Sequence, residues 1–301
     1  MHLSLRQLQI FSGIAEAGTT TAAGELLGLS QSAVSAALGE LESLLGLALF
    51  DRVGRRLVLN GHGRALLPQA RALLAGMNDI ERRFRADSQT GAAVQWQVGA
   101  STTIGNYLMP ARIADLQERN PNAHVELVIG NTREVTTAVQ RLEVDIGLIE
   151  GPSHEPGLEV APWQSDELVV VFGGRHPLAA ALRNGADLAQ LRQARWLLRE
   201  PGSGTREAAE QALLPHLQGF AEVLQLGGTE AIKQGAVAGL GLACLSRHAV
   251  ADLVTLGRLQ VLDTPLPPLQ RQLWVVRHPG KRVPASLRQL LGLAADVFND
   301  D

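Results

Sequence analysis

The sequence predicts an α/β chain built in two unlike parts, and three observations carry that expectation. Up to about residue 88 the apolar residues recur three and four apart, the spacing of helices with one buried face. From Gln95 onward short apolar runs of strand length alternate with helical stretches, the pattern of helices covering a mainly parallel sheet. The composition is that of a folded chain: 301 residues, 46% hydrophobic and 19% charged, too apolar for a disordered one. That length accommodates about two to three domains.

The first part is justified element by element. Leu5, Leu8, Phe11 and Ile14 form a stripe on a first helix. Thr19 to Leu27 carries Ala22, Ala23, Leu26 and Leu27, where small alanines admit a neighbouring helix, and Gly28 supplies a turn. Ser30 then caps a helix whose apolar face is Val34, Leu38, Leu41 and Leu45. Gln31, Ser32, Ser35 and Ala36 face away from that stripe, so they are free to enter a groove. Two short helices around a tight turn, the second with a small polar start, are the layout of a helix-turn-helix DNA reader. Leu49 to Asn60 follows as a hairpin with Gly54 near its tip, the wing of a winged helix.

Gly63 to about Asp87 reads as one long helix. Leu66, Ala70, Leu73, Met77, Ile80 and Phe84 step by alternating fours and threes, a heptad seam, while Arg71, Asp79, Glu81, Arg82 and Arg83 lie outside it. A dimerising linker helix is favoured over one packed wholly on its own domain. Beyond it, strands are expected at Trp96–Ala100, Val125–Ile129, Ile146–Ile149, Leu168–Phe172, Trp196–Leu198, Val223–Leu226, Leu242–Leu245 and Leu273–Val276. Helices are expected at Pro110–Arg119, Arg133–Leu142, Arg206–Leu214, Glu230–Ala238 and Pro284–Phe298. So long a series suits two lobes with a cleft between them. The expected boundaries are 1–62 for the winged helix-turn-helix, 63–90 for the linker helix and 91–301 for the two-lobed part.

The N-terminal segment Leu5 to Gly63 resembles the DNA-binding end of the LysR-type transcriptional regulators. The resemblance rests on Leu5-Arg6-Gln7-Leu8, Ala22-Ala23, Leu29-Ser30-Gln31-Ser32-Ala33-Val34-Ser35, Leu41-Glu42 and Leu49-Phe50-Asp51-Arg52, in order and spacing. The remainder is similar to that family's effector domain, a two-lobed module of periplasmic-binding-protein type. Ser32 to Leu38 together with Asp51 to Leu57 looks like the branch linked to sulfite and cysteine metabolism. The chain departs from the family at Thr20 or Thr21, where an aromatic residue is common, and at Ala36 or Ala37, where a longer polar side chain is common. The resemblance implies a homo-oligomer, dimeric through the linker and tetrameric through its effector domains. It also implies promoter DNA, a small effector and RNA polymerase as partners, with no cofactor.

Recognition helices set their first turns against base edges while flanking elements hold phosphates. Gln31, Ser32 and Ser35 are therefore assigned to bases, Arg52, Arg55 and Arg56 to phosphates, and Thr20 and Thr21 to backbone hydroxyl contacts. The net charge of −3 argues only weakly against DNA, because these arginines sit in a segment with no acid after Asp51.

In open α/β folds ligands bind where strands end and helices begin. Ser101, Thr102 and Thr103, then Asn131 and Thr132, then Ser203, Gly204 and Thr205 with Arg206 nearby, place hydroxyl and amide donors at three such junctions. Donors of this kind at helix starts suit a small anion or carboxylate. Glu150 complicates that site, since a carboxylate beside an anion is unfavourable.

Rival readings are an anion- or carboxylate-binding enzyme and a solute receptor on the same fold. The sequence has no G-x-S-x-G turn, no Gly-Lys-Ser/Thr loop and no dinucleotide glycine pattern in Gly235 to Gly241. Its histidines, His62, His124, His176 and His248 among them, lack zinc-ligand spacing. A receptor would need a secretion signal, whereas Met1 to Arg6 opens no apolar core of that length and no later run spans a membrane, so a cytoplasmic location is expected. The single cysteine, Cys244, lies in an apolar run and reads as a small buried side chain.

Overall fold

In the computed structural model the chain divides into two compact units, Met1–Ala93 and Val94–Asp301. The structure describes residues 3–54, 56–86, 95–294 and 297–298.

The first unit opens with helix α1 (Leu5–Ala17), where Ser4 accepts the Gln7 amide at 3.2 Å and the Gln7 side chain takes the Ser4 amide at 3.1 Å. This reciprocal cap satisfies two donors that a helix start leaves open. Helix α2 (Thr20–Leu27) is capped by Thr19 and stops at Gly28, whose φ of +65° lies in the left-handed region that ends helices. Helix α3 (Gln31–Leu45) is capped by Ser30. Strands β1 (Phe50–Val53) and β2 (Arg56–Leu59) pair antiparallel after it.

Leu8, Phe11, Ile14, Val34, Leu38, Leu41, Leu49 and Phe50 form the core, with the Phe11 and Phe50 rings 5.5 Å apart. Two residues of the expected stripes miss it: Leu5 and Leu45 are exposed, and Ile10 is buried.

Helix α4 (Gly61–Ala86) splits the expected seam. Leu66, Ala70 and Leu74 pack against the winged core, so the first turns belong to their own domain. Leu73 and Ile80 remain 54% and 60% exposed. The side chain of Phe84, and those of Asp79, Glu81, Arg82 and Arg83, lie outside the described residues.

In the second unit the chain runs β3 (Gln95–Ser101), a π-helical turn leading into α5 (Met109–Arg119), β4 (His124–Gly130), α6 (Thr132–Gln140) and β5 (Ile146–Glu150). The long strand β6 (Glu159–Gly173) leads to α7 (Ala179–Leu182), α8 (Leu188–Gln193), β7 (Arg195–Leu198), α9 (Gly204–Leu217) and β8 (Glu222–Gln225). Then come α10 (Thr229–Val237), β9 (Ala243–Ser246), α11 (Arg247–Thr255), β10 (Leu259–Val261), β11 (Leu269–Arg277) and α12 (Ala285–Leu291).

These elements make two lobes. One packs α5 and α12 on β3 and β5 through Val98, Ile104, Met109, Ile146, Leu148 and Leu287. The other is centred on Phe172, Leu191, Trp196, Leu198 and Leu213.

The sheet is mixed, not mainly parallel. Strands β4, β3 and β5 run parallel, but β11 pairs antiparallel with both β5 and β6, and β6 antiparallel with β9 and β10. The reason lies in the chain path: it leaves the first lobe along β6 and returns along β11, so these neighbours run in opposite directions. The last helix is shorter than the Pro284–Phe298 expected, ending at Leu291, because Gly292 takes a φ of +64°.

Candidate DNA interface and ligand cleft

On α3, burial of Val34, Leu38 and Leu41 turns Gln31, Ser32 and Ser35 outward, and all three are exposed. Gln31 is also braced: its side-chain amide donates to the Thr20 hydroxyl at 3.0 Å, tying the start of α3 to the start of α2. The Ser30 hydroxyl accepts the Ala33 amide at 3.2 Å and lies 3.0 Å from the Ser32 hydroxyl, so Ser30 is occupied as a cap. Thr20 is half-buried and Thr21 exposed. In the hairpin, Arg52 faces Leu57 and Arg56 faces Val53 in register; both arginines are exposed. Arg55 lies outside the described residues.

In the second unit the three donor-rich junctions converge, and they converge on Glu150. The Glu150 carboxylate accepts the Thr103 amide at 2.7 Å and the Thr205 hydroxyl, and pairs with Arg271 at 2.7 Å. Its backbone carbonyl accepts the Thr132 hydroxyl at 3.0 Å. Gly204 packs so tightly there that an added Cβ would lie 1.6 Å from the Glu150 carbonyl oxygen, so that glycine serves the approach of α9 to β5.

Arg271 also binds Asp166 at 2.7 Å and the Thr103 hydroxyl at 3.1 Å, and Ser246 donates to Asp166 at 2.7 Å. Burial disfavours charge on Glu150, but Arg271, the Thr205 hydroxyl and the Thr103 amide outweigh it and hold the carboxyl below its ordinary range. The sequence therefore supplies its own anion at the helix start where a ligand was expected.

A second polar cluster lies beside this one. Arg199, 4% exposed, directly follows β7. Its guanidinium reaches Thr229 at 3.0 Å, Thr102 of the other lobe at 3.3 Å, and both oxygens of Glu200 at 2.8 Å. Asn131, also from the other lobe, donates to Glu200 at 3.2 Å. Ser203 is buried, and its side chain does not cap α9. The Ser101 hydroxyl is buried beside the Glu150 carboxylate and helps to hold its charge. Arg206 is engaged by Glu210 at 2.8 Å and by the Arg199 carbonyl at 3.1 Å. Further along the seam Tyr107 donates to Glu230, and burial with that bond pushes its hydroxyl up to about 12.

Arg199, Glu200, Thr229 and Arg271 were not singled out from sequence. Arg271 did carry a signal: it shares the inward face of β11 with Leu269 and Leu273. An arginine on an apolar strand face needs buried partners.

Residues 5–64 match the family described as bacterial regulatory helix-turn-helix protein, lysR family, and residues 89–299 match the LysR substrate binding domain. The chain is a LysR-type transcriptional regulator. It is 47% identical to the HTH-type transcriptional regulator YeiE of Escherichia coli K12, itself described as uncharacterized, over 97% of each chain. The fold of this regulator is similar to that of a full-length OxyR variant from Pseudomonas aeruginosa, with a TM-score of 0.69 at 23% identity over 97% and 94% of the two chains. It is also similar to the regulatory domain of CcmR from Synechocystis PCC6803 in complex with 2-PG, with a TM-score of 0.58 at 27% identity over 67% and 98%. The relatives are regulators, which removes the enzyme reading. Among the described residues no helix is long and apolar enough to cross a membrane.

Proposed function

We propose that this LysR-type regulator reads promoter DNA in the cytoplasm under the control of a small anionic effector bound between its two α/β lobes. Gln31, Ser32 and Ser35 meet bases, Arg52, Arg55 and Arg56 grip phosphates, and Thr20 and Thr21 add backbone contacts. Copies of the chain pair through the exposed residues of α4, and RNA polymerase is the machinery they act on. The domain limits 1–62, 63–90 and 91–301 follow this division of labour.

The observation that carries the effector assignment is Arg199, a buried cation of one lobe within 3.3 Å of Thr102 on the other. Thr102 and Thr229 bond it directly and Asn131 meets its partner Glu200, while the buried Ser101 and Ser203 hydroxyls add polar groups at the same junctions. Thr103, Thr132, Gly204 and Thr205 hold the Glu150 seam behind the ligand. A ligand on the CcmR regulatory domain supports a small molecule at this kind of domain. Sulfite and other sulfur oxyanions head the candidates because of the branch that residues 32–38 and 51–57 resemble.

The test is thermal stability of the purified full chain against sulfite, sulfate, thiosulfate, phosphate, nitrate and short carboxylates. A ligand at a hundred times its Kd adds about 2.7 kcal/mol when it binds only the folded state. A shift with one oxyanion, lost in Thr102→Ala, is the expected result. No shift with any of them, in the wild type or in a variant lacking the Glu200 carboxylate, overturns the small-anion assignment.

A further inference from the structure

The Arg199 guanidinium is occupied. Glu200 takes its Nε at 2.8 Å with one oxygen and its Nη2 at 2.8 Å with the other, a fork-on-fork pair. The oxygen on Nη2 also accepts the Asn131 side chain from the opposite lobe at 3.2 Å. One carboxylate thus satisfies a cation of one lobe and an amide of the other. The Nη1 of Arg199 donates to neutral hydroxyls, Thr102 and Thr229, which can rotate to serve a ligand instead.

The setting suits displacement. Glu200 keeps 24% of its side chain exposed, whereas the Arg199 side chain is 5% exposed. The carboxylate can swing into water while the guanidinium cannot. It is followed directly by Pro201 and by Gly202 at a φ of +92°, a tight turn outside any helix or strand. By contrast Glu150 is fully enclosed and holds Arg271, so that pair has nowhere to go.

We infer that Glu200 is an internal stand-in for the effector: it occupies Arg199 and Asn131 until an oxyanion displaces it, and so sets both the threshold and the shape of ligand accepted. This rests on the cleft reading above. A displacing ligand needs two acceptor oxygens on one central atom to replace both contacts on the Arg199 fork. Sulfite, sulfate, phosphate and carboxylates meet that requirement, and a halide does not.

The test is isothermal titration of the full-length protein and of its Glu200→Ala and Glu200→Gln variants. The probes are sulfite, sulfate, phosphate and acetate, with chloride as the single-point anion at matched ionic strength. The two variants guard against one failing to fold, and circular dichroism checks both. Removing a bidentate, charge-assisted competitor should tighten oxyanion binding about tenfold or more. Chloride should stay weak, and Arg199→Gln should abolish the gain. Oxyanion binding by the variants alone supports the inference equally. A probe bound by the wild type with equal or weaker affinity in both variants overturns the inference and leaves the cleft reading intact. No binding by any of the three proteins overturns both.

Discussion

The Glu150 carboxylate sits 2.7 Å from the Thr103 amide, filling a helix start that the sequence presents as a place for a ligand. The same carboxylate is 2.7 Å from Arg271 on the long return strand, and Arg271 in turn holds Asp166. Two acids and one base are thus enclosed where the strands joining the lobes pass. Thr103, Thr205 and Ser246 supply the hydrogen bonds that make such an enclosed group tolerable.

Replacing Arg271 by Met leaves both carboxylates buried without their cation. Breaking a buried pair from one side costs about 3–5 kcal/mol. Urea unfolding of the full-length Arg271→Met protein should show that loss in the transition of the second unit. A loss under about 1 kcal/mol would mean that water or a shifted side chain replaces the guanidinium, a cost typical of surface changes.

Acid should find the same network. The folded carboxyl of Glu150 titrates below its ordinary 4.5, so the folded protein binds fewer protons there than the unfolded chain. The stability it contributes is complete above the unfolded pKa and is lost as pH falls through the lower, folded one. Unfolding free energy measured from pH 6 down to pH 3 (about the carboxylate range) should fall less steeply in Glu150→Gln. Identical slopes in the two proteins would remove Glu150 from the account.

Cys244 should be silent in the folded protein. It is buried, and burial pushes its thiol up to about 12, against the opposing pull of Arg271. The thiolate, the reactive form, is then about one part in 10⁵ at pH 7. Labelling with a disulfide reagent should proceed only in denaturant, and a rapid native reaction would contradict the burial.

The linker helix divides its labour, and mutations should follow the division. Leu66 and Ala70 lie against the winged core, whereas Leu73 and Ile80 are exposed on the same helix. Apolar residues left at heptad spacing suit a second copy of the helix. Leu73→Glu with Ile80→Glu should lower the mass seen by analytical ultracentrifugation to that of smaller species without shifting the unfolding midpoint of the winged core. An unchanged mass would place the interface elsewhere.

Much of this molecule was legible because its signals are local. Ser30 caps a helix, Gly28 ends one, and most of the apolar stripes of α1 and α3 fills the small core, whereas the caps at Ser4 and Thr19 were not read. What escaped was set by distant partners. The middle of β6 carries Gln164, Ser165, Asp166 and Glu167, polar residues that hid a strand whose reason is to cross between lobes. Arg199 and Glu200 look like surface charges until β7 brings them against Thr102 and Asn131. Periodicity also ran too far: it carried the last helix past Gly292, whose backbone turns left-handed. The heptad steps of α4 were real, yet spacing alone did not separate residues facing their own domain from those facing out.

The wing makes the sharpest test of DNA docking. Arg52 and Arg56 are exposed on paired strands with no acidic partner among the described residues. Arg55 between them completes the basic run. If the three lie along phosphates, each releases counterions on binding, and each contributes about 0.9 to the slope of log K against log salt. The triple alanine variant should therefore bind every duplex more weakly and show a slope smaller by about 2.7, the sum of three such contacts. Its preference among operator sequences should stay, because phosphates carry no base identity. Gln31→Ala should do the opposite, relaxing sequence preference while leaving the slope near its wild-type value. Fluorescence anisotropy over a salt series separates the two. An unchanged slope in the triple variant would take the wing off the phosphate backbone and leave α3 to dock without it.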